Sequence, residues 1–187
     1  ADVPGEPGEE DARAPDVRDL TASFAAGVLA WDAPEGEWQV LRFGCTIGDR
    51  SRVSTSSDGW KGYALDVLDA GAFGRYWDAV VEPLIAAAGP LAGTTLKYLH
   101  TDSWEIEALN WTGALREEFR ARRGYDMLPF LPVVAGRIID GRDASNRFLH
   151  DLRRTIGDCA VDNHYRPFRE GARRHGLQIH PESGGPH

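Results

Sequence analysis

The chain has 187 residues, 42% of them hydrophobic, which is enough for one domain with a real core. Its formal net charge of −8 argues against a nucleic-acid-binding surface, because phosphate contacts require clustered Lys and Arg. There is no run of about 18 apolar residues, so the sequence predicts no membrane span. Cys45 and Cys159 are far apart and follow no metal-binding spacing. A single disulfide between them is an open alternative, but nothing demands it, and we expect two unrelated thiols.

The sequence of the N-terminal third predicts a flexible segment followed by short strands. Residues 1–16 are rich in Pro, Gly and acidic residues, which is typical of a linker or mobile terminus. Two β-type runs, 27–31 and 37–47, flank the turn sequence APEGE. We therefore assign residues 17–62 to a β-rich inserted segment.

Residues 63–187 show an alternation of helical and strand patterns. Apolar residues at helical spacing predict a helix over 70–88, with Gly89 and Pro90 as its stop. A strand follows at 94–100, then a helix over 110–124 that ends at Gly124. This order is typical of an α/β fold with a parallel sheet.

The remaining elements continue the same alternation. Residues 126–136 read as a proline-punctuated loop, and a long helix follows with Ser145 as its predicted cap. Pro167 is expected to kink or divide that helix. A second strand is predicted at 177–180.

Acidic side chains follow both predicted strands, where the chemistry of parallel α/β folds is found. The first strand runs into Asp102 and Glu105, and the second runs into Glu182. If the two strands are neighbours, Glu105 and Glu182 would stand about 5–10 Å apart, which is the separation of the two carboxylates of a glycosidase.

Aromatic and polar side chains near these acids favour a carbohydrate ligand. Sugar rings pack their C–H faces on indoles, and Trp104 and Trp60 are the candidate platforms, whereas Trp111 fits a helix core better. Sugar hydroxyls require hydrogen-bonding partners, and the candidates are Asp102, Asn110, Asn163, His100 and His180.

Structural roles compete with these assignments. Asp102 or Ser103 could simply cap a following helix, and Glu105 could be a first-turn acid that complements the helix dipole. Glu182 precedes a Ser-Gly-Gly loop, so the dipole explanation is weaker there.

Several sequence blocks resemble glycoside hydrolase family 106, the α-L-rhamnosidases, from about residue 17 to residue 187. The most specific blocks are Asp102-Ser103-Trp104-Glu105, Asn110-Trp111-Thr112 and Arg123-Gly124-Tyr125-Asp126. The resemblance implies part of a (β/α)8 TIM-type barrel over residues 63–187, with a short β segment before it. One departure is Ala64, which stands where the family tends to carry an acid.

The resemblance also implies an activity and a site. Members of the family cleave terminal α-L-rhamnose with inversion, and Ca²⁺ helps to hold the sugar hydroxyls. Glu105 would be the general acid, and Glu182 would be the base or a calcium or sugar ligand. Asp102 and Glu182 would be the metal ligands, and the partner would be a rhamnose-containing carbohydrate.

Two other readings remain open. The chain could be a non-catalytic carbohydrate-binding module on the same fold, or an inactive truncated barrel fragment. Because half a barrel cannot enclose a substrate, we expect low or no activity from these residues in isolation. The oligomeric state and the localisation stay open, although a secreted or periplasmic place would suit polysaccharide degradation.

Overall fold

The computed structural model describes residues 2–4, 9–48, 51–53, 59, 61–103 and 109–182. The chain divides into two compact units. Unit 1 contains Ala1–Gly44 and Arg116–Thr155, and unit 2 contains Cys45–Leu115 and Ile156–His187. Among the described residues, no helix combines the length and the apolar character needed to cross a membrane.

The helices and strands follow one another in a mixed order. Two-residue strands form the hairpin β1 and β2, and the helices α1 and α2 are joined by a π-helical turn. Strand β3, helices α3, α4 and α5, and strand β4 follow. Their bounds are β1 Phe24–Ala25, β2 Val28–Leu29, α1 Ala70–Tyr76, π turn Trp77–Val81, α2 Glu82–Ala88, β3 Tyr98–Thr101, α3 Leu115–Arg123, 3₁₀ helix Leu128–Ala135, α4 Gly141–Ala160, a second π turn Val161–Tyr165, α5 Arg166–Arg174 and β4 Gln178–Pro181.

Unit 1 is built around an aromatic cluster. Phe119 and Phe148 are almost fully buried. The ring of Tyr125 meets Phe119 edge-on at 4.9 Å, and Phe130 stacks on Phe148 at 5.6 Å. Aromatic pairs in these arrangements stabilise a core beyond the area that they bury.

Some of the described residues among 1–16 make specific backbone contacts. The amide of Val3 donates to Asn146 Oδ1 at 2.7 Å, and the side chain of Val3 is buried. Asp11 accepts from the amide of Ile138 at 2.7 Å and donates its own amide to the Ile138 carbonyl at 2.8 Å. In the described part of this segment the amides of Val3, Asp11, Ala12 and Ala14 have hydrogen-bond partners.

Two predictions for unit 1 and its neighbouring segment are wrong. Residues 37–47 contain no strand, and most of them are exposed. No strand of the described residues pairs with this segment, so its β-type composition forms no sheet. Ser145 does not cap α4, which begins four residues earlier at Gly141. Its buried hydroxyl instead bonds to both the amide and the carbonyl of Ile139, at 2.9 and 3.0 Å.

Unit 2 contains a parallel pair of strands packed on a helical core. β3 pairs with β4, with Leu99 opposite Ile179 and His100 opposite His180. Leu99 and Ile179 pack against a cluster from α1, the first π turn, α2, α5 and the start of β4, which consists of Phe73, Trp77, Val81, Ile85, Phe168, Ala172 and Leu177. The predicted parallel neighbours are therefore confirmed, and the mixed helix and strand content agrees with the predicted fold class.

The helices of unit 2 follow the predicted apolar spacing. The helix over 70–88 is present, with a π turn in its middle, and Gly89 ends it with a φ of 53°. The long helix is divided before Pro167, which lies in the first turn of α5 after the second π turn. α3 ends at Gly124 as expected but begins at Leu115, so residues 110–114 are not helical. Cys45 is exposed, Cys159 is buried, and no disulfide joins them, as predicted.

Candidate functional site

The two faces of the β3–β4 pair have opposite character. Successive residues of a strand point to opposite faces, so Leu99 and Ile179 cover the helical core while their neighbours point the other way. That second face, which we call the open face, carries exposed side chains. They are Tyr98, His100, Asp102, Gln178, His180 and Glu182.

The register of the two strands places two histidines opposite each other on the open face. His100 lies opposite His180, and their Nδ1 atoms are 3.2 Å apart. The two rings stack, with their centroids 5.4 Å apart and an angle of 29° between their planes. Two Nδ1 atoms form a hydrogen bond only when one of them carries the proton and the other presents its lone pair.

The carboxylates form the next rung beyond the histidines. The amide of Glu182 donates to the Thr101 carbonyl at 2.9 Å, which continues the ladder past the end of β4. Asp102 lies across from Glu182, and its Oδ1 accepts from the amide of Ser103 at 2.7 Å. Ligand atoms of His100, Asp102 and Glu182 all lie within 4.8 Å of one another.

The side chains of the open face are suited to three kinds of chemistry. Two exposed carboxylates and an imidazole can bind a divalent cation, accept hydrogen bonds from hydroxyl groups, or exchange protons with a ligand. The sequence named Asp102 and Glu182 as metal ligands and His180 as a hydroxyl partner, and the structure places all three at one edge. A signal for the pairing lies in the sequence itself, which repeats His-x-acid at 100–102 and 180–182.

Calcium fits this set of ligands in part. Ca²⁺ takes six to eight oxygen ligands, and Asp102 and Glu182 can supply up to four. The imidazole of His100 in the same group is not a calcium ligand of choice. Calcium therefore stays a prediction that the two carboxylates support.

The remaining predicted site residues are either outside the described part of the chain or away from the open face. Trp60, Trp104 and Glu105 fall outside the described residues, so the predicted pair of Glu105 and Glu182 stays a prediction. Asn110 is exposed in the irregular segment before α3. Trp111, which was expected in a helix core, is not in a helix and keeps 38% of its surface exposed.

Asn163 has a structural role rather than the hydroxyl-binding role considered for it. It is buried in the second π turn, and its side-chain Nδ2 donates to the Leu68 carbonyl at 2.7 Å. A carbonyl buried among apolar residues requires a donor, and Asn163 supplies it.

A second polar group of unit 2 was not foreseen. Glu82 Oε1 accepts from Trp77 Nε1 at 2.5 Å and lies 2.9 Å from His175 Nε2. The hydrogen bond from Trp77, followed by that from His175, lowers the pKa of Glu82. These contacts join the start of α2 to the residue after α5. They therefore help to hold together the helices on which the strand pair packs.

Comparison with known proteins gives a consistent assignment. The family model described as alpha-L-rhamnosidase matches residues 5–187. A protein of Formosa agariphila that carries the provisional name beta-glucuronidase is 34% identical over 177 residues. That alignment covers 94% of this chain and 15% of the relative.

A solved structure shows the same relationship in three dimensions. The rhamnosidase from Novosphingobium sp. PP1Y superposes with a TM-score of 0.74 at 28% identity, covering 91% of this chain and 17% of that protein. This chain therefore spans only about a sixth of the relatives that it matches. With the family model matching nearly its whole length, the chain belongs to glycoside hydrolase family 106.

Proposed function

We propose that this chain forms part of the catalytic region of a glycoside hydrolase that releases terminal α-L-rhamnose with inversion. The observation that supports it best is the open face of the β3–β4 pair. Two parallel strands in register carry Asp102 and Glu182 to the same edge, at their carboxyl ends. This is where the active sites of parallel α/β enzymes lie.

The two faces of the strand pair also support a (β/α) barrel. In such a barrel one face of each strand packs on the helices and the other points to the interior. Leu99 and Ile179 make the helix-facing contacts, and the polar side chains lie on the opposite face. We propose that β3 and β4 are adjacent strands of the catalytic barrel and that the open face points to its interior.

Glu105 is the proposed general acid. In the sequence it follows Asp102 by three positions, after the end of β3. Its role is to protonate the leaving glycosidic oxygen as the bond to the anomeric carbon breaks. A carboxylate on the other side of the sugar ring takes a proton from the attacking water, and Glu182 is the candidate on this chain.

The neighbouring side chains are proposed to hold the sugar. Asp102, Asn110 and His180 can pair with hydroxyl groups, and the indoles of Trp60 and Trp104 can cover a C–H face of the ring. A calcium ion held by Asp102, and by Glu182 if another carboxylate is the base, would supply further oxygen coordination for sugar hydroxyls.

The test replaces Glu105 by Gln in the protein that carries this chain. An amide cannot donate the proton, so we expect hydrolysis of an alkyl α-L-rhamnoside to fall by about 10²–10⁴-fold while rhamnose binding is retained. Proton NMR of the first product should show β-L-rhamnose, the inverted anomer. Glu117→Gln, on the exposed surface of α3, is the matched control and should keep full activity.

The panel of substrates should include an aryl β-D-glucuronide, because one relative is named for that sugar. Hydrolysis of the glucuronide alone would replace rhamnose as the substrate. Binding of rhamnosides without any release of sugar would show a carbohydrate-binding module instead. A Glu105→Gln variant with a near-normal rate would disprove the acid assignment.

A further inference from the structure

The helix over 70–88 carries two apolar stripes, and only one of them is covered. Both stripes repeat at intervals of four residues, which is helical spacing. The first is buried in the core on which the strand pair packs, and it consists of Phe73, Trp77, Val81 and Ile85. The second, which we call the outer stripe, consists of Tyr76, Val80 and Leu84, and all three of these side chains are exposed.

The two stripes lie side by side on the helix. At about 100° per residue their centres are roughly 80° apart, so together they make one apolar face about 180° wide. The acidic residues of this helix, Asp78 and Glu82, fall on the side opposite the outer stripe. A helix that packs on one side only needs an apolar stripe of about 100°, so the wider face indicates a second packing partner.

The helix and its strand each have one neighbour in unit 2. The helix meets α5, where the rings of Trp77 and Phe168 lie edge to face with their centroids 6.2 Å apart. Strand β3, which follows the helix in the chain, pairs with β4 alone among the described residues. In a (β/α) barrel each strand has two strand neighbours, and the helices form a closed outer ring. One further strand-and-helix unit would therefore supply both missing contacts.

The size of the outer stripe favours a partner within the same protein. Its three side chains offer on the order of 400 Å², whereas a stable contact between two proteins buries about 800 Å² on each side. A helix of the same polypeptide needs less area, because the chain connection keeps it at a high effective concentration. This chain covers 15% and 17% of its two relatives, so a longer protein of this family has further helices to place there.

We propose that the outer stripe is the contact surface for a helix of the same protein that lies outside residues 1–187. The partner is amphipathic, with apolar residues at i, i+3 and i+4 that pack between Tyr76, Val80 and Leu84. Exposed Ala87 continues the stripe and lets the two helices approach closely. The inference rests on the barrel of the proposed function and names the surface through which unit 2 joins the rest of that barrel.

The test is thiol labelling of the complete protein that carries this chain. Leu84 is 66% exposed here, so a cysteine at that position would react freely with a maleimide if nothing covered it. We expect native Leu84→Cys to react at least about tenfold more slowly than the same variant unfolded in urea, because labelling requires the helix to open. Mass spectrometry of the peptide that contains residue 84 gives both rates.

Val161→Cys is the matched control. Val161 also lies in a helical segment of unit 2 and is 49% exposed, but it is not part of the outer stripe. It should react within about threefold of its unfolded rate. Circular dichroism shows whether each variant is folded, and Val80→Cys carries the same measurement if Leu84→Cys does not fold.

A charge on the stripe gives a second readout. Leu84→Asp should lower the urea midpoint of the complete protein, because a partner helix would bury the carboxylate without a cation. Val161→Asp should leave the midpoint nearly unchanged. Equal midpoints for the two variants would contradict the proposal.

The labelling outcomes are decisive and separate from catalysis. Fast labelling of Leu84→Cys, at the rate of the unfolded protein, would overturn the helix contact. Protection that is lost on dilution together with a dimer would assign the stripe to a second copy and would also overturn it. Neither result depends on hydrolysis, whereas a Glu105→Gln enzyme that keeps its rate would refute the general acid and leave the labelling unchanged.

Discussion

The two faces of the β3–β4 pair differ in packing and in exposure. The helix-facing side is closely packed, with Leu99 and Ile179 resting on a cluster that includes Phe73 and Trp77. The open side carries only polar or amphipathic side chains, all exposed. The strand pair is thus stabilised from one face, which leaves the other free to carry a site whose charges would be costly in a core. Substitutions on the two faces should therefore separate stability from binding.

The largest loss of stability is expected from a substitution where α5 meets the first π turn. Gly171 lies against Trp77, and a Cβ built at Gly171 would stand 2.5 Å from two ring atoms of that indole. Gly171→Ala should therefore destabilise the protein by about 1–3 kcal/mol through overpacking. Chemical denaturation followed by circular dichroism measures the loss.

Gly157 provides the matched control for that substitution. It also lies within a helix, α4, but a Cβ there has no other atom within 4 Å. Gly157→Ala should stabilise the protein by about 0.5–1 kcal/mol, because alanine has the higher helix propensity. Equal effects of the two substitutions would show that the contact with Trp77 is not tight.

His164, in the second π turn, is expected to make a smaller, pH-dependent contribution to the stability of the fold. Its ring meets Phe73 edge-on at 5.2 Å and stacks with Phe168 at 6.3 Å. No described group bonds its buried Nδ1. Burial lowers the pKa of His164 below the ordinary value of 6.5, so the folded protein favours the neutral ring.

The sign of the effect follows from that shift. Above pH 6.5 the ring is neutral in both states, and the contribution of His164 to stability is complete. As the pH falls below this value the unfolded chain binds a proton that the folded chain resists. The free energy of unfolding should drop by up to about 1.4 kcal/mol per pH unit, until the lowered pKa is reached.

The measurement compares denaturation at pH 7.5 and about pH 5.5. A His164→Phe variant should lose less stability over that interval than the unmodified protein, whereas His150→Phe, an exposed histidine, should behave like the unmodified protein. An identical loss in all three proteins would assign the pH dependence to other groups.

The smallest effect on stability is expected on the open face. Asp102 and Glu182 are exposed and pair with no cation among the described residues. The double variant Asp102→Asn, Glu182→Gln should change the free energy of unfolding by no more than about 0.5 kcal/mol, while its affinity for divalent cations falls. A large loss of stability would mean that the carboxylates support the fold, and the contrast between the two faces would fail.

Sequence patterns predicted the elements whose hydrophobic spacing is regular. The helix over 70–88 and the parallel strands were foreseen, because buried faces repeat at 3.6 or 2 residues. Residues 37–47 misled the prediction, since β-type composition cannot form a strand without a partner. Ser145 also misled it, because its hydroxyl could bond to Ile139 only once the fold had brought the two together.

The candidate site was foreseen in its members but not in its arrangement. Asp102, Glu182 and His180 could be named, because polar residues at the ends of strands are typical of α/β sites. The contact between His100 and His180 depends on the register, and a shift by one residue would separate them. Only the three-dimensional pairing shows that the two His-x-acid patterns face each other.

The open face is assembled from residues that are 80 positions apart in the chain. Helices α3, α4 and α5 lie in the sequence between the two histidines, so the open face cannot form until they have been synthesised. Pairings of such wide sequence separation are slow to form, because the chain entropy is lost before the contact is gained. Cation binding at this edge would thus report that β4 has paired with β3, and a ligand added during refolding should act late.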